Sequence, residues 1–361
     1  MKYQHCMKTT HKIYFENSQD MGAIPSGTAH LVVTSPPYPM IEMWDELFSN
    51  KNGDIAKALT EGDGWNAFEL MHRQLDPVWK ETHRILASGG IACVNIGDAT
   101  RTIGGNFNLY PNYSRILTAM IKAGFCTLPA IVWRKATNAP NKFMGSGMLP
   151  AAAYVTLEHE NILILRKGPK REFKTSHEKQ LRRESAFFWE ERNTWFSDIW
   201  FDLTGTSQIL PDDKARSRSA AFPFELPYRL INMFSSKNDV IVDPFLGTGT
   251  TMAAAMVSGR NCLGFEINRG FQDQLVSIEG SIIATANNRI NQRLRNHIDH
   301  IDRRLKENYQ FKYVSKHYDF AVMTRQEVDL FFNPLKSVER IDESTLQVAY
   351  TNAPNIDFKG D

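Results

Sequence analysis

Short apolar runs alternate with amphipathic segments along most of this chain, and that order constrains the fold more than any other feature. The run IACVNIG at 91–97 is typical of a buried strand. It follows residues 65–86, where large apolar side chains recur every three or four positions, as in a helix with one buried face. The same alternation returns from 222 to 270. Strands that alternate with helices predict a doubly wound, mostly parallel α/β sheet.

The overall composition limits the class of protein. The chain has 361 residues, of which 42% are apolar and 23% charged, and its net charge is +2. Such values are typical of a globular protein and do not by themselves indicate a polyanionic partner. The four cysteines are scattered and form no C-x-x-C pair, which argues against a disulfide framework or a zinc site. We expect no signal peptide, no membrane span and a cytoplasmic location.

A glycine-containing turn, DPFLGTGTT at 243–251, lies between a predicted strand and a predicted helix. Gly247 and Gly249 let the backbone approach a ligand closely, and the helix N-terminus offers free N–H groups. The turn is neither a Walker A loop nor a complete G-x-G-x-x-G, because neither the lysine nor the third glycine is present. A phosphate is therefore not the expected ligand.

The strand after this turn ends at Glu266, 19 residues beyond Gly247. A carboxylate at that spacing commonly accepts hydrogen bonds from a ribose diol. The unit therefore suits a cofactor with a ribose and no pyrophosphate, such as S-adenosyl-L-methionine. Asp243, at the end of the preceding strand, could meet the ammonium group of its methionine part. The alternative is a tight strand-to-helix turn without a ligand.

The stretch VVTSPPYPM at 32–40 reads as a buried strand that ends in a stiff corner, because proline fixes φ and lacks an N–H. With a methyl donor nearby, this corner suits the exocyclic amine of a nucleobase. The Ser35 hydroxyl and the Pro36 carbonyl, which Pro37 helps to hold, could accept the two amine hydrogens and stabilise the developing positive charge. Tyr38 could stack on a base that has left its duplex.

These two motifs resemble those of a known family. The stretch at 34–38 resembles motif IV of the DNA amino-methyltransferases, and 243–251 resembles their motif I. Motif IV comes first, which is the order of the β class, as in restriction-modification systems of bacteria. The resemblance runs from about 12 to 275. The further matching segments are 79–98 (motifs V and VI), 131–135 (motif VII), 159–168 (motif VIII), 215–231 (motif X) and 264–268 (motif II).

The resemblance implies a Rossmann-like fold, that of class I S-adenosylmethionine-dependent methyltransferases, and it implies site residues. Motif III usually carries an aspartate near the adenine of the cofactor, and Asn17 stands at the matching place here. The residues implied in cofactor binding are Asn17, Phe222, Pro223, Asp243, Phe245, Gly247, Gly249, Thr250 and Glu266. The residues implied in catalysis are Ser35, Pro36, Pro37 and Tyr38.

Asp98 is a further catalytic candidate. Some relatives have an aspartate, suggested as a proton acceptor, in the motif VI strand, where this chain has Asn95, with Asp98 three residues later. The alternative for Asp98 is a turn residue that caps the loop after Gly97. His159 and Glu160, in the segment that resembles motif VIII, are interpreted as structural.

The resemblance also suggests a division of the chain. We expect a catalytic half at 12–166, a target-recognition region at 167–216, a cofactor-binding half at 217–275 and a helical C-terminal extension at 276–361. The recognition region begins with a basic segment and continues with an aromatic one. The candidate DNA contacts are Lys170, Arg171, Lys174, Arg182 and Arg183, and the alternative is a solvated charged helix. No metal site is expected.

The expected activity is methylation of cytosine N4 in duplex DNA. In the family, Ser-Pro-Pro-Tyr usually accompanies N4-cytosine methylation, and Asp- or Asn-Pro-Pro-Tyr usually accompanies N6-adenine methylation. The alternatives are an N6-adenine DNA methyltransferase of the same fold, an RNA or protein-amide methyltransferase, and a DNA-binding module without catalysis. The expected partners are double-stranded DNA and, without direct contact, a cognate restriction endonuclease. The chain would act as a monomer or homodimer.

Overall fold

A computed structural model describes residues 7–135, 144–203 and 222–353 of the chain. The strands are β1 (Lys8–Tyr14), β2 (Ala29–Thr34), β3 (Leu86–Ile96), β4 (Ala99–Ile103), β5 (Asn106–Tyr110), β6 (Phe125–Arg134), β7 (Met144–Gly145), β8 (Ala153–Tyr154), β9 (His159–Lys167), β10 (Ile199–Trp200), β11 (Val240–Asp243), β12 (Asn261–Phe265), β13 (Tyr313–Val314), β14 (Ala321–Val322), β15 (Leu335–Asp342) and β16 (Thr345–Tyr350). The α-helices are α1 (Asp45–Ser49), α2 (Gly53–Thr60), α3 (Gly64–Ile85), α4 (Asn112–Lys122), α5 (Ser176–Glu184), α6 (Trp189–Trp195), α7 (Glu225–Phe234), α8 (Thr250–Val257) and α9 (Gln272–Lys306).

Ten of these strands form one sheet in the order β10-β6-β9-β3-β2-β11-β12-β1-β16-β15. The five central strands, from β3 to β1, pair in parallel. Strand β9 runs antiparallel between β3 and β6, and the β15–β16 hairpin adds to β1 antiparallel. The prediction of a mostly parallel α/β sheet is confirmed.

Side chains on alternate residues of β2 enter two different cores. Val32 packs in the core formed with α2, α3 and α4, whereas Leu31 and Val33 pack in the core formed with α7, α8 and α9. All three are fully buried. Because a strand that is buried on both faces must be apolar on both, the continuous run LVVT reads as a central strand. Helices cover both faces of the sheet, as a doubly wound fold requires.

The C-terminal part differs from the expected helical extension. Helix α9 ends at Lys306, and residues 335–350 form a hairpin that continues the main sheet beside β1. The buried side chains of β16 include Leu346, Val348 and Tyr350, which repeat every second residue, the period of a strand with one face on the core. The extension is therefore part of the sheet as well as a helix.

The boundary between α3 and β3 also differs from the prediction. The strand was expected at 91–97, but α3 ends at Ile85 and β3 begins at Leu86, so Ser88-Gly89-Gly90 lies within the strand. The early start of β3 follows from pairing, because Leu86 is in register with Ala29 of β2. Among the described residues, no helix is both long enough and apolar enough to cross a membrane.

Candidate active site

The Pro-Pro corner and the glycine turn lie side by side at the carboxyl edge of the sheet. Strands β2 and β11 are parallel neighbours, so their ends meet at the same edge. The Thr34 hydroxyl at the end of β2 donates to Oδ1 of Asp243 at the end of β11, at 2.6 Å, across 209 residues of sequence. The fold therefore brings together two motifs that are far apart in the sequence.

A cavity of about 670 Å³ opens at this edge. Most of the residues predicted from the sequence line it, namely Asn17, Ser35, Pro36, Pro37, Tyr38, Phe222, Asp243, Phe245, Gly247, Thr250 and Glu266. Pro223, Gly249 and Asp98 lie outside its lining. Pro223 accepts the N–H of Leu226 at the start of α7, and Gly249 shapes the start of α8. The volume is that of an ordinary small-molecule site.

Glu266 is held by the backbone around it. Its Oε2 accepts the N–H of Gly247 at 2.9 Å, and its Oε1 accepts the N–H of Asn268 at 2.7 Å. Burial raises the pKa of this carboxyl. An ionised carboxylate has about four acceptor sites, so each oxygen can still accept a hydroxyl. The carboxylate is thus fixed in place with free acceptor capacity towards a diol.

Asp243 is almost completely buried. Its Oδ1 also accepts the N–H of Phe245 at 3.0 Å. Burial is the main cause that raises the pKa of this carboxyl to about 6. A cationic group bound beside it would favour the ionised form. Asp243 therefore suits an ammonium or another cation in the cavity.

Tyr38 is the centre of a hydrogen-bond network behind the cavity. Its hydroxyl accepts from Ser35 Oγ at 3.1 Å and donates to Oε2 of Glu160 at 2.9 Å. The Asn95 amide donates to the Tyr38 hydroxyl at 2.9 Å and to the same carboxylate oxygen at 2.6 Å. Lys135 Nζ lies 2.6 Å from the other oxygen, Oε1. Glu160, interpreted from the sequence as structural, thus contacts the predicted catalytic tyrosine directly.

The close approach of Tyr38 and Glu160 depends on Gly97. A Cβ at this position would lie 3.2 Å from both Tyr38 Cε2 and Glu160 Cγ, tighter than ordinary contact. The sequence does carry a signal for Glu160. In HENILIL, at 159–165, this acid stands just before an apolar run, so it must be buried or lie at a strand end. A buried carboxylate requires partners, and such a residue is more often functional than its neighbours.

Two predicted residues have local bonding partners. Asp98 Oδ1 accepts the N–H of Tyr113 at 2.9 Å, at the start of α4. This contact fits the capping alternative, and a catalytic role for Asp98 stays a prediction. The Asn17 side chain bonds to Gln19, from the backbone N–H of Gln19 to Oδ1 and from Nδ2 to the Gln19 side chain. Asn17 nevertheless lines the cavity.

The wall of the cavity opposite the glycine turn was not predicted. It comes from the turn and helix after the Pro-Pro corner and from one face of α3. The residues concerned are Trp44, Leu47, Phe48, Lys51, Gln74, Leu75 and Val78. On α3, Leu75 and Val78 belong to the same apolar stripe as the core residues, so periodicity alone could not distinguish cavity wall from core.

The basic segment at 167–183 lies away from the cavity. Arg171 forms a bidentate ion pair with Asp239, which directly precedes β11, so the segment sits at the amino edge of the sheet. The Arg182 guanidinium lies over the ring of Phe173 at 4.7 Å. The structure thus does not bring the candidate DNA contacts Lys170, Arg171, Lys174, Arg182 and Arg183 to the candidate active site. A DNA contact through them stays a prediction.

Comparison with known proteins gives concordant results. The family model described as "DNA methylase" matches residues 29–277. The chain is 50% identical over 345 residues to the type II methyltransferase M.MthZI of Methanothermobacter thermautotrophicus, covering 95% of this chain and 96% of that protein. It is 50% identical over 275 residues to the type II methyltransferase M.MjaI of Methanocaldococcus jannaschii, covering 73% and 89%.

A solved structure is also similar. It is that of a Thermus thermophilus protein assigned as a DNA modification methylase, in complex with S-adenosyl-L-methionine. The identity is 29% and the TM-score 0.57, over 73% of this chain and 91% of the other. The family model covers both the Pro-Pro corner and the glycine turn. The chain belongs to the DNA methylase family.

Proposed function

We propose that this protein transfers a methyl group from S-adenosyl-L-methionine to the N4 amine of a cytosine flipped out of duplex DNA. The hydrogen bond between Thr34 and Asp243 carries the proposal. It joins the corner suited to an amine and the turn suited to the cofactor in one cavity. In open α/β sheets, ligands bind in the crevice outside the carboxyl ends of the strands.

The cavity has groups that match each part of the cofactor. Asp243 would face the ammonium, and Glu266, with acceptor capacity left on both oxygens, would hold the ribose diol. Phe245 and Phe222 would pack on its apolar surfaces, and Asn17 would lie near the adenine. The cofactor supplies an electrophilic methyl group bonded to a sulfonium.

The Pro-Pro corner would bind and orient the amine. An exocyclic amine is a poor nucleophile because its lone pair is delocalised into the ring. Acceptance of its hydrogens by Ser35 Oγ and by the Pro36 carbonyl would favour a pyramidal nitrogen and stabilise the positive charge that develops there. Tyr38 would present its ring face to the base. This mechanism requires no cysteine nucleophile.

The choice of cytosine follows from the family's use of Ser-Pro-Pro-Tyr, and a serine could serve either amine. The test is to methylate duplex DNA with the purified protein, digest the product and identify the modified nucleoside by mass spectrometry. We expect N4-methylcytosine. N6-methyladenine alone would overturn the choice of base, and transfer of methyl only to RNA or protein would overturn the DNA substrate.

We further propose that the protein protects DNA in a restriction-modification system. Two of its relatives are named as type II methyltransferases, which motivates this proposal. Sequencing DNA from an expressing host for methylated positions would give the base and the recognised site together. DNA methylated at that site should resist a restriction endonuclease of the same specificity, and cleavage of the methylated DNA would contradict the protective role.

A further inference from the structure

We propose that Glu160 is a positioning residue that sets the direction of the hydrogen bonds at the amine site. Through the Tyr38 hydroxyl, it leaves Ser35 Oγ able only to accept from the substrate. This inference rests on the proposed function of the same cavity. It assigns a role to a residue outside the Pro-Pro corner and the glycine turn.

The direction of the hydrogen bonds from Ser35 through Tyr38 to Glu160 follows from counting the hydrogens that each group can donate. An ionised carboxylate can only accept, so Tyr38 must donate its single hydroxyl hydrogen to Glu160 Oε2, at 2.9 Å. The oxygen of Tyr38 then acts as an acceptor, and the Ser35 hydroxyl donates to it at 3.1 Å. Ser35 has no second hydrogen. Its oxygen therefore presents only lone pairs to the cavity.

The surroundings of Glu160 favour this polarity. Among the described residues, three groups donate hydrogen bonds to it: the Tyr38 hydroxyl, the Asn95 amide at 2.6 Å and Lys135 Nζ at 2.6 Å. Glu160 is 9% exposed, and a buried carboxylate is retained only where it is paired and hydrogen-bonded. Burial, and next the negative charge of Glu160, raise the pKa of Tyr38 well above its ordinary value, so the tyrosine keeps its hydrogen near neutral pH.

This polarity selects the chemistry of the substrate. A lone pair on Ser35 Oγ matches the N–H of an exocyclic amine and repels a carbonyl oxygen at the same place. Positive charge that develops on the amine would be stabilised by Ser35 and, through Tyr38, by the negative charge on Glu160. Glu160 need not touch the base.

The first test is Glu160→Gln. A glutamine is close in size but carries an N–H₂ group, which can turn towards Tyr38 and donate to its hydroxyl. The direction of the hydrogen bonds would then reverse, so that Ser35 points its hydrogen into the cavity. We expect the single-turnover methylation rate to fall about a hundredfold, a typical effect for a preorganised polar group. The affinity for S-adenosyl-L-methionine, measured by calorimetry, should change less than about twofold, and Glu160→Asp should recover part of the rate.

The second test separates positioning from a general structural role. Tyr38→Phe keeps the ring but removes the hydroxyl that links Glu160 to Ser35. If Glu160 acts through that hydroxyl, Glu160→Gln should lower the rate by less than about threefold in the Tyr38→Phe background. A hundredfold effect in both backgrounds, or equal losses of rate and cofactor affinity, would overturn the inference.

Glu158→Gln is the matched control. Glu158 lies two residues before Glu160, with a side chain 45% exposed and paired with Arg134 at 3.4 Å. Its substitution should leave the rate and the melting temperature unchanged. The wild-type protein in the same assay separates two kinds of failure. If it methylates DNA and Glu160→Gln does so equally fast, this inference alone fails, whereas a wild-type protein that leaves DNA unmethylated overturns the proposed function.

Discussion

In the proposed mechanism, single atoms at the Pro-Pro corner activate the amine. We expect Ser35→Ala and Tyr38→Ala to lower turnover by about 10²-fold or more, because each removes a group aimed at the reacting nitrogen or its base. Both residues lie on the corner rather than on the glycine turn, so cofactor affinity should persist. Turnover by rapid quench and affinity by calorimetry would check this. Full activity in both variants would contradict the proposed mechanism.

Burial of Asp243 leads to a prediction about how cofactor affinity depends on pH. The pKa of its carboxyl in the folded protein is raised to about 6, and in the proposed function the ammonium of the cofactor would pair with the ionised carboxylate. Cofactor affinity should therefore fall as pH decreases through 6, by about tenfold between pH 7 and pH 5. Stability of the protein alone has the opposite sign, since a carboxyl with a raised pKa contributes most stability at low pH and loses it as pH rises through 6.

Asp243→Asn separates this effect from that of Glu266. Burial raises the pKa of the Glu266 carboxyl as well. The asparagine can still accept from Thr34 and Phe245 through its oxygen. We expect weaker cofactor binding at pH 7 and a flat dependence between pH 7 and pH 5, measured by calorimetry. A variant that retains the wild-type pH dependence would show that another group is responsible.

At the scale of elements, the glycine turn and helix α8 form one unit. Gly249 precedes α8 with φ at 82°, a left-handed conformation that is costly for any residue with a Cβ. Gly249→Ala should lower the free energy of unfolding by about 1–2 kcal/mol, as measured by urea denaturation. It should also weaken cofactor binding, because the turn carries Gly247 and Thr250.

Gly280 provides a control of opposite sign for this prediction. It lies inside α9, where a Cβ would meet nothing within 4 Å. Gly280→Ala should raise stability by about 0.5–1 kcal/mol, because alanine loses less conformational freedom in a helix. If both substitutions change stability by the same amount and sign, backbone conformation at 249 is not the cause.

Elements with apolar patterns could be predicted from the sequence, and elements with buried polar residues could not. Strand β11 and helix α8, on either side of the glycine turn, were predicted where they occur, since both are dense in apolar residues. Strand β1 was missed because its buried face consists of Thr9, His11 and Ile13. The Thr9 hydroxyl lies 2.8 Å from His11 Nε2, so these two polar atoms are hydrogen-bond partners in the core. Alternating hydrophobicity cannot reveal such a strand.

The candidate site shows the same division. Ser35, Asp243 and Glu266 lie at strand ends, where side chains of parallel strands converge, so spacing and motif sufficed to predict them. Glu160 reaches the site from β9, and its contact with Tyr38 depends on the register between β9 and β3. Register between strands that are distant in sequence is a property of the folded sheet. This register could therefore not be predicted from the sequence pattern alone.

For the whole molecule, the two edges of the main sheet differ in the surface that they offer to DNA. Residues 148–155 precede β9, which begins at the carboxyl edge, and they expose Met148, Leu149 and Val155 by 85%, 69% and 86%. Apolar side chains of this kind can insert between bases. The basic segment at 167–183 lies at the opposite edge. We therefore expect DNA to approach the carboxyl edge.

Charge and apolar substitutions at the two edges test this expectation. Leu149→Asp should weaken binding to duplex DNA by about tenfold, because it places a negative charge against the phosphates. Lys174→Glu, at the amino edge, should weaken it by less than about twofold at the same salt concentration. Fluorescence anisotropy with one duplex would measure both. A stronger effect at Lys174 would support the assignment of 167–183 to DNA contact.

The hydrogen bond between Thr34 and Asp243 has a consequence for the folding and degradation of the protein. Because its partners are 209 residues apart, the bond closes a long loop, and the conformational entropy of that closure opposes assembly of the cavity. A ligand that binds only the completed cavity stabilises the folded state. A hundredfold excess of cofactor over its dissociation constant would stabilise the protein by about 2.7 kcal/mol, and cellular cofactor supply would then govern how long each copy survives proteolysis.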